Sequence, residues 1–131
     1  MKLTPLGVAA AVEAVTGLAS LAYPPIVVQL LFGAEIAAAG IVISRLAGIA
    51  LIALGTACWP GGDVSRSLCG ILIYNALATA YLVCLGARGE WVGPLLWPAA
   101  VLHAFLTILL TRTWFKKPIP DLSTRELNEA E

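Results

Sequence analysis

Charged side chains are scarce in this sequence: Asp, Glu, Lys and Arg together make up 12% of its 131 residues. A soluble domain carries about twice that share, so too little polar surface is present to clothe a water-soluble globule. The 8 basic and 8 acidic residues cancel, which removes the overall basic field expected of a nucleic-acid binder. Cysteine is also sparse. Cys58, Cys69 and Cys84 make an odd set without CxxC spacing, which argues against a redox pair, a disulfide framework or a zinc site. A single histidine, His103, rules out bis-histidine haem ligation within one chain, and only a homodimer could supply two. No phosphate loop and no catalytic dyad is present, so no catalytic residue, metal ligand or cofactor is assigned.

Hydrophobic residues, in contrast, make up 60% of the chain. They gather in four runs, at about 5–22, 36–58, 67–87 and 91–111. A helix needs about 20 residues to cross the hydrocarbon core of a bilayer. The period-2 alternation of a barrel strand is missing, so the runs read as helices. The expected fold is all-α: an integral membrane, antiparallel four-helix transmembrane bundle. It would occupy residues 1–115, followed by a short cytoplasmic tail at 116–131. The first run has some features of a signal peptide, with Lys2 ahead of it and Ser20 and Ala22 near its end. Glu13 interrupts its apolar stretch, and the run is long enough to span.

Orientation follows from the basic residues. Lys2, Arg66, Arg112, Lys116, Lys117 and Arg125 fall on one side, and Arg88 alone on the other. The positive-inside rule makes the first side cytoplasmic, with both termini inside.

Short stretches between the runs carry further signals. In "YPPIVVQLLFGAE", Pro24 and Pro25 stop the first helix and apolar residues recur at helical spacing up to Gly33. Two readings stay open: a short interfacial helix or re-entrant turn, or a kinked extension of the second span. In "WPGGDVSR", Asp63 and Ser65 are candidate helix caps. Trp59, Trp91 and Trp114 sit at run ends, where indoles prefer the membrane interface. In the tail, Ser123 and Glu126 have capping-box spacing, within a segment expected to be mostly disordered. Gly40, Ser44 and Gly48 recur every fourth residue and mark a helix-packing stripe, either inside the bundle or at a homodimer seam.

Each span carries one strongly polar residue: Glu13, Arg45, Asn75 and His103. At a rise of 1.5 Å per residue they lie about 12, 15, 13 and 13 Å from their nearest span ends, so all four are expected near mid-membrane. A lone arginine at the bilayer centre costs about 3 kcal/mol on insertion scales. The expected solution is a buried layer in which Glu13 is the counter-charge of Arg45, with Asn75 and His103 hydrogen-bonding to the pair. Thr16, Tyr74, Thr79 and Thr107 lie within a helical turn and could extend this network. Pro98 lies inside the fourth run, where it should kink the helix, with Trp97 beside it as packing residue or cavity wall.

The segments "EAVTGLASL", "RLAGIALIALGTACW", "YNALATAYLVCLG" and "GPLLWPAAVLHAFLTILL" resemble a group of small, uncharacterised bacterial four-span (tetraspan) membrane proteins. The resemblance covers about residues 7–111 and is carried by Glu13, Arg45, Trp59, Tyr74, Asn75, Trp97, Pro98 and His103. It implies a bacterial inner-membrane location and no particular activity. "AVEAVTG" is also similar to the glutamate segment of small multidrug-resistance transporters. Those proteins lack a buried arginine in the second helix, and their aromatic lining pattern is missing here.

Three readings follow. One is a structural or accessory membrane protein, acting as a homo-oligomer or as a subunit of a larger membrane complex, whose polar layer sets helix packing. The second is a small-ligand, lipid or ion binding or transport protein that works as a homodimer through that layer. The third is a lipid- or quinone-modifying enzyme with His103 as acid or base. The candidates for the buried polar layer or a ligand-binding site are Glu13, Arg45, Tyr74, Asn75, Trp97 and His103.

Overall fold

The first helix starts where Thr4 turns its hydroxyl back on the chain and accepts the N–H of Gly7 at 3.2 Å. Pro5 follows at the first helical position, where a missing N–H costs nothing. The computed structural model describes residues 4–60, 64–89 and 91–115. Within them are five helices: α1 (Pro5–Ala22), α2 (Pro24–Phe32), α3 (Ala38–Ala57), α4 (Val64–Arg88) and α5 (Leu96–Phe115). No strand occurs among the described residues. Helices α1, α3, α4 and α5 are long and apolar enough to cross a membrane. Asp63, Glu90, Lys2 and the tail from Lys116, with Ser123 and Glu126, lie outside the described residues.

Pro24 and Pro25 end α1 because neither has an N–H to continue it. Their fixed φ suits the first turn of a new helix, and α2 begins there as a separate nine-residue element. Of the two readings for this segment, the structure adopts the short helix. Gly33 closes it in the left-handed region, with φ of 66° and its N–H on the Gln29 carbonyl.

The fourth long helix begins at Leu96, five residues later than the apolar run suggests. The residues before it are held by α2. The N–H of Gly93 donates to the Leu31 carbonyl at 3.0 Å, and that of Leu95 to the Leu30 carbonyl at 2.8 Å. These are carbonyls of the last turn of α2, which would otherwise lack partners. One expectation is corrected as a result. Pro98 falls in the first turn of α5, where no intrahelical N–H bond is required, so it does not break the helix.

Packing divides the long helices into two close pairs. The α1–α3 pair meets backbone to backbone. A Cβ added to Gly17 would lie 2.6 Å from the Gly48 carbonyl oxygen, and one added to Gly48 would lie 2.6 Å from that of Gly17. Seven residues away on each helix, Gly55 lies equally close to the Ala10 carbonyl. Of the expected stripe, Gly48 alone belongs to this seam. Gly40 and Ser44 turn toward a cavity instead, and the nearest neighbour of Gly40 is Ile36 just before its own helix. In the second pair, Gly86 of α4 lies under Leu96 and Trp97 of α5.

Helix α1 also touches α4 and α5, and so joins the two pairs. At the end remote from α2 the four helices close on a core of Leu6, Ala9, Ala10, Cys58, Leu68, Ile71, Leu106 and Leu110. Toward α2 the pairs part.

The seam predicts a contrast between two glycines. Gly48→Ala forces α1 and α3 apart and should lower stability by about 1–3 kcal/mol. Gly70 has open space around it. Gly70→Ala should be neutral or stabilising by up to about 1 kcal/mol through helix propensity. Thermal unfolding of the two variants in detergent checks the pair.

Candidate functional site

The polar residues of α1, α4 and α5 converge where the packed end gives way to the open one. Glu13 and Asn75 are 0% exposed, and the His103 side chain is 12% exposed. Asn75 Nδ2 donates to the Ile71 carbonyl one turn back at 2.9 Å, and its Oδ1 lies 2.8 Å from His103 Nδ1. Glu13 Oε1 lies 3.8 Å from the same nitrogen. Tyr74 sets its ring edge-on to the imidazole, with centroids 6.0 Å apart. The carboxyl of Glu13 lies beside Tyr74 and Asn75, yet neither of its oxygens finds a hydrogen bond of good geometry. A buried carboxyl without a partner is costly and therefore uncommon.

Arg45 is not part of this layer. It is exposed on α3 and makes no ion pair or hydrogen bond among the described residues. Arg45 thus does not reach Glu13 as expected, and the carboxyl lies 3.8 Å from His103 instead. The reason is helical phase. Gly48 must face α1, and Arg45 and Ser44, being neighbours, lie about 100° apart on opposite flanks of that contact. Ser44 takes the cavity flank and Arg45 the outer one, among the exposed Val42, Leu46 and Ile49.

The neighbouring residues settle in detail. The hydroxyls of Thr79 and Thr107 serve the backbone, donating to the carbonyls of Asn75 and His103 at 2.8 Å each. Thr16 faces the cavity. Trp97 packs across Gly86 and does not line the cavity. The three cysteines are free, with Cys58 donating to the Ser67 carbonyl at 3.4 Å. No cluster of His, Cys, Asp or Glu among the described residues could hold a metal ion.

The cavity has a volume of about 1220 Å3. Its walls are apolar side chains from all five helices, including Val12, Ile43, Leu77, Leu82 and Leu102, with α2 at one end. His103 supplies its imidazole and Tyr23, Tyr74 and Tyr81 its phenols, while Thr16, Ser20 and Ser44 add hydroxyls. Sequence reasoning located the polar residues and missed the size and apolar lining of the cavity. It also missed Gly17 and Gly55, whose signal was present: Ala10 and Gly17, like Gly48 and Gly55, are spaced by seven.

The fold and site define a multi-pass helical membrane protein with a buried polar cluster beside an apolar cavity. No protein family, curated protein or solved structure matches the chain.

Double-mutant cycles distinguish the two possible partners of Glu13. Glu13→Gln and Arg45→Gln should be additive within about 0.5 kcal/mol, as separated sites are. Glu13→Gln and His103→Gln should couple by about 0.5–3 kcal/mol, as contacting sites do. Unfolding in detergent measures both cycles.

Proposed function

We propose that this protein binds a lipophilic molecule in the cavity between its two helix pairs, with the ligand's polar head at Tyr74 and His103. One observation carries the reading: an apolar space of about 1220 Å3 ends on a ring that is backed by an unpartnered buried carboxyl. Binding sites for small molecules are concave and mostly apolar, with a few convergent polar groups. A cluster that served packing alone would be expected to satisfy its own hydrogen bonds. The setting in this reading is a bacterial inner membrane, crossed by an antiparallel four-helix bundle with both termini inside. Arg66 and Arg112 on that side, against Arg88 on the other, support the orientation.

A second reading is favoured by Arg45. An exposed arginine among Val42, Leu46 and Ile49 lies about 10 Å along α3 from Ala38, at a rise of 1.5 Å per residue. Its side chain leans toward the helix start, which shortens the reach to that interface. Such a charge on an apolar face suits a subunit of a larger membrane complex whose partner helix carries an acceptor. Glu13 of a second copy is buried and cannot serve.

The first reading is tested by filling the cavity. Ala78→Phe and Ala99→Phe together should weaken binding of a single-chain fluorescent lipid analogue by about tenfold or more. Ala80→Phe, which does not line the cavity, should leave it unchanged. Equal binding by all three proteins would count against the cavity. For the second reading, a photoreactive residue replacing Ile49 should crosslink in intact membranes to a protein, and Arg45→Leu should abolish that product. Crosslinks to lipid alone would sink it.

A further inference from the structure

Hydrogen bonding at the polar end of the cavity has a direction, and Asn75 sets it. Its Nδ2 is committed to the Ile71 carbonyl, so Oδ1 is the atom that faces His103. An amide oxygen only accepts, and the two atoms are 2.8 Å apart. Nδ1 of His103 therefore carries a proton. The other ring nitrogen, Nε2, has no partner among the described residues. It is also not sealed in: the fully buried, unpartnered side-chain atoms are the two carboxyl oxygens of Glu13. The His103 side chain keeps 12% exposure and lines the cavity.

The charge of the ring follows from its surroundings. A buried imidazolium needs a hydrogen-bonded anion to offset its desolvation. Glu13 lies 3.8 Å from Nδ1, beyond hydrogen-bond distance, and Arg45 is on another face. The ring is therefore neutral, and Nε2 presents a bare lone pair to an apolar space.

We propose that the ligand is an amphiphile whose head donates a hydrogen bond to Nε2 of His103, with an aliphatic or aromatic alcohol on a long apolar tail as the simplest neutral case. This rests on the cavity reading above and names its ligand class. A carboxylate or phosphate head would bring an acceptor against an acceptor, beside the carboxyl of Glu13. A quaternary ammonium head has no N–H to give, and an ether or ketone can only accept. The hydroxyls of Tyr74, Thr16, Ser20 and Ser44 can play either role, so they do not select. Selection falls to His103, with Asn75 as the positioning residue that fixes its tautomer.

The chain has one histidine, so histidine-selective 15N labelling reports on this ring alone. The wild-type protein, purified without a histidine tag in lipid nanodiscs, is titrated with dodecanol and with an ether of equal length. The expected apo spectrum shows Nδ1 protonated and Nε2 bare. Dodecanol should move the Nε2 signal toward its hydrogen-bonded position and bind about fivefold more tightly than the ether, the worth of one neutral hydrogen bond. His103→Phe should abolish that preference while ether binding persists. Should that variant fail to fold, the wild-type spectra alone decide. Equal affinities without an Nε2 shift, or an apo ring protonated on both nitrogens, would overturn the proposal and leave the cavity reading standing. Failure of both probes to bind would overturn both.

Discussion

Everything else in this structure depends on how closely α1 and α3 approach. Gly17 against Gly48 and Ala10 against Gly55 leave no room for a side chain in the seam. Without a hydrophobic driving force between helices in lipid, such close packing is what holds a pair together. The seam also fixes rotation. Once Gly48 faces α1, Ser44 is committed to the cavity and Arg45 to the outer flank. Helix α1 then has its remaining buried face free to carry Glu13 to α4 and α5.

The second consequence is a division along the bundle. At one end Leu6, Leu68, Ile71, Leu106 and Leu110 fill the space between the pairs. At the other, α2 and the segment around Gly93 and Leu95 hold the pairs apart through backbone hydrogen bonds. Glu13, Asn75 and His103 lie at the boundary. The position explains their unusual bonding. Packed residues on one side shut out water, while the cavity on the other leaves part of the imidazole reachable. The carboxyl of Glu13 is thereby deprived of partners, and Asn75 is left to orient the ring.

Much of this was readable from residue order. The four runs locate α1, α3, α4 and α5, because length and apolarity are local properties of a segment. The break at Pro24 and Pro25 and the closing Gly33 were legible for the same reason: each acts through its own backbone. The later start of α5 was not, because Gly93 and Leu95 answer to carbonyls some sixty residues earlier in the chain. Among the candidate site residues, Asn75 and His103 share a depth countable from the sequence and meet each other, with Glu13 and Tyr74 beside them. Depth along an axis can be counted from sequence, whereas azimuth cannot, and Arg45 shares the depth of the cluster without sharing its face.

The sequence by itself thus determined an all-helical chain with four segments long and apolar enough to span a membrane, and which polar residues those segments carry. Tertiary structure decided which of those residues meet. The imidazole of His103, and not Arg45, lies beside Glu13 because a glycine seam, built from residues with no chemistry of their own, sets the rotation of α3. It also decided that the helices enclose a space, since a cavity is a property of how pairs diverge and belongs to no single segment.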